Sequence, residues 1–341
     1  MHEAQSSKRR RAILMIGALL LAAVGSLMIA GLAGSVALAP SELPGALLEL
    51  ASGKSGSLAT SLLDLRLSRA IAAFVTGAAL SLAGVMMQAL LRNPLADPYV
   101  LGISAGASVG ALAALMAMAA LWMVDAAAFG GAVAVSMMLY FLARRDLRGG
   151  SAAEGGSSVL LLTGVILSSA CMALVTLMLS VAPEGRLRSM IFWMIGDLAG
   201  APVRVLPWLV LAGALVFALR SARALNVLAL HADAASTLGI RVGPLRKGLF
   251  FCSGLLTASA VTSAGSIGFV GLIVPHACRF AFGPDHRVLI PAATLAGGTF
   301  LVLADTLART ALAPQQLPVG VVTALIGAPV FLYQLHRLNR S

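Results

Sequence analysis

The sequence predicts an all-α polytopic membrane protein with ten transmembrane helices and both termini in the cytoplasm. Three observations predict it. Of the 341 residues, 59% are hydrophobic and only 11% charged, and the mean hydropathy is +0.95. A water-soluble surface on a chain this long needs far more polar residues. Apolar runs long enough to cross a bilayer, about 20 residues each, recur from end to end. The basic residues divide unequally between the segments that join those runs.

In order along the chain, hydropathy places spans at 12–38, 67–91, 99–122, 126–143, 158–181, 203–220, 248–263, 267–283, 288–311 and 318–335. The first follows Lys8-Arg9-Arg10-Arg11 and runs far beyond a signal-peptide core, with no convincing cleavage site, so it is read as a retained span. An even number of spans puts both termini on one side, and the arginine-rich start makes that side the cytoplasm. Seventeen of the 24 Lys and Arg residues then fall inside, among them Arg144, Arg145, Arg220, Arg223, Arg246 and Lys247. Seven fall outside: Lys54, Arg66, Arg69, Arg186, Arg188, Arg204 and Arg309. The formal charge of +11 follows from this topology and not from a nucleic-acid surface.

Between the second and third spans lies RNPLADPYVLGIS (92–104), a polar interruption read as a tight cytoplasmic turn. Asn93-Pro94 ends one helix, because proline disfavours the helical conformation before it and lacks a donor. Asp97-Pro98 starts the next: the carboxylate can accept the free N–H groups of the first turn, and proline suits its first position. Gly102, Gly106 and Gly110 follow at intervals of four, with Ser104 and Ser108 between them, and span two carries a comparable face in Gly77, Ser81, Gly84 and Gln88. Such faces serve close helix packing. A solute pathway would use the same residue types, so both readings stand at this point.

No energy source is visible in the chain. Ser52-Gly53-Lys54-Ser55 has the ending of a phosphate loop, but the earlier glycine that loop requires would fall at Leu48. A proton-driven carrier would keep titratable groups at mid-membrane depth. Asp305 is the chief acidic candidate, and Arg309 four residues later predicts an ion pair within one helix instead. His276 is read as a structural residue near a helix end, and Cys171, Cys252 and Cys278 lie in apolar runs without metal-ligand spacing. These residues offer no nucleophile–base pair or metal cluster, which argues against a membrane-embedded enzyme or haem protein. The segment 220–247 is the longest internal loop; its Leu225, Leu228, Leu230, Leu238 and Ile240 suggest a short amphipathic helix, docked on a cytoplasmic partner or lying on the membrane.

Three stretches, RLSRAIAAFVTGAALSLAGVMMQALLRNPLADPYVLGISAGASVGA (66–111), GSIGFVGLIVPHACRFAFGPDHRVLIPAATLAGG (265–298) and LADTLARTALAPQQLPVGVVTALIGAPVFLY (303–333), strongly resemble the permease family that imports vitamin B12, haem and ferric siderophores. The resemblance covers nearly the whole chain after the first span. It implies one transmembrane permease domain over 1–341, a type II ABC importer subunit of ten helices. The chain would work as a homodimer in the bacterial inner membrane, with two cytoplasmic ATPase subunits below and a periplasmic substrate-binding protein above. It would bind no cofactor itself, ATP and Mg belonging to the ATPase, and its substrate would be a bulky metal chelate. By residue matching, Leu230, Leu238, Gly239 and Ile240 fall in the segment that couples to the ATPase, although ALHADAAS (229–236) departs from the commoner glycine–acidic start. Asn93, Leu95, Ser157 and Ser158 resemble the cytoplasmic gate, and span five and the short helix near 188–200 would line and cap the pathway. Arg66, Arg69 and Arg309 match the arginines that receive acidic residues of the binding protein. The rival reading is a proton-coupled secondary transporter.

Overall fold

A computed structural model describes residues 2–36, 38–39, 41–53, 56–147, 156–199, 203–229 and 237–338. Among them every regular element is helical. The order is α1 (His2–Leu32), α2 (Leu43–Ala51), α3 (Leu58–Leu91), a single 3-10 turn (Pro98–Leu101), α4 (Ile103–Met116), α5 (Leu121–Leu142), α6 (Arg144–Leu147), α7 (Gly156–Val181), α8 (Glu184–Ile195), α9 (Val205–Leu228), α10 (Val242–Ala264), α11 (Val270–Phe282), α12 (His286–Thr310) and α13 (Val319–Leu338). Among the described residues, six helices are long and apolar enough to cross a membrane: 10–32 of α1, α3, α5, 159–181 of α7, α9 and α12. The shorter apolar helices Ile103–Met116, Val270–Phe282 and Val319–Gln334, together with α10, occupy the other predicted places. The chain is a multi-pass membrane protein.

Several boundaries differ from the hydropathy reading, each for a local reason. α3 starts at Leu58, well before residue 67, because Ser57 caps it: the hydroxyl accepts from Thr60 N at 3.2 Å. Glu49 of α2 braces the same cap, accepting from Thr60 Oγ1 at 2.6 Å and Ser57 Oγ at 3.0 Å, and these hydroxyls hold its carboxyl below the usual range. The third predicted span is broken at Gly102, whose φ of +76° is open to glycine and breaks the run between the 3-10 turn and α4. α5 starts at Leu121 and not at 126. α9 continues to Leu228, since the Ala, Arg and Leu residues of 221–228 are good helix formers. Helices α9 and α10 therefore take 220–228 and 242–247 from the predicted loop, and 230–236 of the amphipathic helix expected there lie outside the described residues. Leu225 and Leu228, read as part of an amphipathic helix facing a partner or the membrane, are buried core residues instead.

The buried helix α3 is the centre of the fold. α1, α9, α10, α11 and α12 pack around it, while α4 and α5 pair closely and touch α7. Small residues make these approaches possible. A Cβ at Gly84 would overlap the Gly271 carbonyl oxygen of α11, and Gly77 and Ser81 meet Gly297 of α12 in the same way. Gly106 and Gly110 face Gly131 and Ala127 of α5. Neighbouring backbone fills both glycine-rich faces, so packing is the reading the structure selects for them.

Candidate functional site

At the end of the bundle that the charge count places outside, Arg66, Arg69 and Arg309 come together, but as internal groups. They are 6%, 8% and 4% exposed. Arg69 reaches from α3 to Asp305 of α12, its Nε 2.9 and 3.1 Å from the two carboxylate oxygens and its Nη2 2.8 Å from Oδ1. Arg309 pairs with the same carboxylate one turn away, Nε to Oδ2 at 3.0 Å, as the spacing predicts. Asp305 is thus shared by two guanidinium groups and is itself 1% exposed. Arg69 further donates to Gln316 Oε1 at 3.1 Å and to Asp197 Oδ1 at 3.3 Å. Arg66 donates to the carbonyls of Gly31 and Leu32, at 3.3 and 3.0 Å, and to that of Val36. It closes the C-terminal end of α1, where free carbonyls and a partial negative charge favour a cation. Because α3 begins at Leu58, neither Arg66 nor Arg69 lies in its first turn, so the helix dipole does not oppose them.

Asp197 links this cluster to a cavity. It follows α8, whose end is held by close backbone contact: a Cβ at Gly320 would overlap the Ile195 carbonyl oxygen, and Gly320 N donates to Gly196 O at 3.2 Å. Next to it opens a cavity of about 640 Å³, walled by Trp122, Asp125, Phe192, Trp193, Asp197 and Arg204. Two of these are paired, Arg204 Nη2 lying 2.6 Å from Asp125 Oδ2. The walls combine large aromatic surface with charge, a combination suited to a bulky amphipathic solute.

At the opposite end, the turn 92–97 is built as its sequence predicts. Arg92 takes a left-handed φ of 48° and Asn93 N donates back to Gln88 O at 3.1 Å, closing α3 as a Schellman motif. Asn93 Oδ1 accepts from Leu95 N at 2.9 Å, which fixes the side chain inside its own turn. Asp97 Oδ1 accepts from Tyr99 N at 2.7 Å with Pro98 in first position, the expected cap, although it caps the 3-10 turn and not α4. Burial pushes the Asp97 carboxyl up to about 6, the Tyr99 hydrogen bond opposing it. Ser157 and Ser158 lie in the first turn of α7, with side chains outside the described residues, as is Leu230 altogether. Leu238 is 69% exposed, Gly239 has a φ of +79°, and Ile240 packs partly against the core. His276 lies well inside α11, buried, in the wall of a 310 Å³ cavity with Phe280, Tyr333 and Gln334. Among the described residues no three potential metal ligands converge.

The residue reading missed Asp197, Gln316, Asp125 and Arg204 as site members. The available signal was polarity: each is a charged or amide side chain beside an apolar stretch, where an unpaired polar group is costly.

Comparison with known proteins gives one answer. The FecCD transport family model matches residues 13–337. The cobalamin import system permease protein BtuC of Halobacterium salinarum is 42% identical over 80% of this chain and 72% of its own length. The vitamin B12 import system permease protein BtuC of Escherichia coli is 40% identical over 81% of this chain and 84% of its own. Among solved structures, a metal-chelate type ABC transporter in an inward-facing conformation is 29% identical, with a TM-score of 0.79 over 95% of this chain and 99% of that one. With 13–337 covered by the family model and relatives 40% and 42% identical, the chain belongs to the FecCD transport family.

Proposed function

We propose that this chain is the permease subunit of an ATP-driven importer. It carries a bulky metal chelate from periplasm to cytoplasm across the bacterial inner membrane by alternating access. The observation that carries the reading is its similarity, over 95% of its length, to a metal-chelate type ABC transporter. The two cobalamin-import relatives favour a cobalamin within the chelate class over haem or a ferric siderophore. In this reading two copies, each of ten spans, form the pathway and two ATPase subunits supply ATP and Mg. The ATPases sit against 229–241, with Leu230, Leu238, Gly239 and Ile240. Asn93, Leu95, Ser157 and Ser158 form the inner gate. A binding protein docks at the outer end around Arg66, Arg69 and Arg309. Since those guanidinium groups are engaged internally, acidic groups of that partner would have to compete with Asp197 and Asp305 for them.

Uptake of cyanocobalamin into vesicles tests the reading. The chain is reconstituted with an ATPase subunit and a cobalamin-binding protein of such an importer, with ATP inside. The expected result is uptake that needs all three components, with no ATP hydrolysis by the chain alone. Uptake driven by a proton gradient without the ATPase would replace the importer by a secondary carrier. ATP-driven uptake of a ferric siderophore in place of cyanocobalamin would change the substrate and leave the importer standing.

A further inference from the structure

Asn226, in the last turn of α9, reaches across to the first turn of α12. Its Oδ1 accepts from His286 N at 2.8 Å and lies 2.8 Å from His286 Nδ1, while its Nδ2 donates to Asp285 Oδ1 at 2.7 Å. A carboxamide oxygen only accepts, so this contact requires the proton of the imidazole on Nδ1. Asp285 in turn caps α12, accepting from Arg287 N at 3.0 Å. Both ends of one carboxamide are therefore used, and only an amide matches both. An aspartate here would set a carboxylate against Asp285, and an alanine would leave all three partners without it. Leu225 and Leu228, on either side of it, are buried.

The position matters because α9 ends here, its last turn running into Ala229 in ordinary helical conformation. Helix ends fray unless tertiary contacts hold them. The segment 229–241 starts there and leads to the exposed Leu238. At the far end of α12 stand Asp305 and Arg309, about 28 Å along a helix that rises about 1.5 Å per residue.

We propose that Asn226 is a positioning residue for coupling. It fixes the root of the partner-facing segment to α12, so that movement imposed on 229–241 shifts that helix and is not lost in fraying of α9. The inference rests on the importer reading above.

The test uses Asn226→Asp, which sets a carboxylate against Asp285, and the control Asp285→Asn, whose Oδ1 still accepts from both Asn226 Nδ2 and Arg287 N and so keeps every bond. In the full chain in nanodiscs, amide hydrogen exchange at 226–229 and 287–290 should quicken about tenfold in Asn226→Asp, equivalent to about 1.4 kcal/mol, and stay at the parent rate in Asp285→Asn. In the complex assembled with ATPase and binding protein, Asn226→Asp should assemble but lose stimulation of ATP hydrolysis by the binding protein, and Asp285→Asn should keep it. Asn226→Asp stimulated like the parent overturns the proposal, because a purely structural brace would shift exchange and leave stimulation alone. Loss of stimulation in Asp285→Asn without faster exchange overturns it as well. If the parent chain binds no ATPase, the importer reading fails instead; unchanged exchange in Asn226→Asp would still refute the brace.

Discussion

One carboxylate, Asp305, holds two guanidinium groups in a place with almost no solvent, and that fixes what its removal does. Asp305→Ala leaves Arg309 buried without its carboxylate and Arg69 with only the Asp197 carboxylate, at 3.3 Å, which costs about 3–5 kcal/mol. The loss is expected as a large fall in thermal stability of the purified chain; a change under about 1 kcal/mol would mean that water reaches the cluster. For the same reason Arg309→Glu should destabilise the chain before it affects any docking partner. Asp97 gives a prediction of opposite sign. Its carboxyl is raised from 3.8 to about 6, so the folded state holds the proton more tightly than the unfolded one. That contribution is complete below the unfolded value and is lost as pH rises through about 6. Asp97→Asn should abolish this dependence and keep the cap, whereas Asp97→Ala should abolish it and lose the cap, lying about 1 kcal/mol below Asp97→Asn at any pH. A melting curve series from pH 4 to 7 that is identical for parent and Asp97→Asn would refute it. The Asp305–Arg309 pair was legible because its partners are four residues apart. Arg69 was not, because its distance to Asp305 along the chain carries no periodic signal.

At the scale of the element, spacing told which residues share a face but not which neighbour that face meets. The glycines of α3 read equally as packing or as pathway until Gly84 is seen against Gly271 and Gly77 against Gly297. The contact predicts its own test. Gly84→Ala forces two helices apart and should cost about 1–3 kcal/mol. Gly213→Ala, in α9 with nothing within 4 Å of the added carbon, should stabilise by about 0.5–1 kcal/mol through helix propensity. Equal effects in thermal unfolding would show that the close approach is not maintained in the membrane. Helix ends were the least legible feature. Hydropathy stops where polarity begins, but α3 starts earlier through the Ser57 cap, and α9 runs later because Ala222, Arg223, Ala224 and Leu225 are good helix formers.

At the scale of the whole molecule, the ten predicted spans meet helices of unequal length. α11 has 13 residues, about 20 Å at about 1.5 Å per residue, against a hydrocarbon core of about 30 Å. The connection before it, read as an outer loop, is internal: Tyr99 Oη donates to Ile267 O at 3.0 Å and accepts from Ile267 N at 3.2 Å, and Ser104 Oγ lies 2.9 Å from Ser266 Oγ. Non-helical backbone at depth is tolerated only when protein satisfies its polar groups in this way. A short helix continued by satisfied backbone can therefore take the place of a full span, which a hydropathy window cannot distinguish from a long helix. Parity then decides the count. Between Leu238 and Leu312, both exposed, lie α10, α11 and α12. Three crossings put these residues on opposite faces; if α10 crosses and α11 does not, they share one. In a chain freed of Cys171, Cys252 and Cys278, a membrane-impermeant thiol reagent added to intact cells should label Leu312→Cys and not Leu238→Cys. Inside-out vesicles should give the reverse. Labelling of both from the same side would remove one crossing from this half of the chain and, with it, the cytoplasmic placement of both termini.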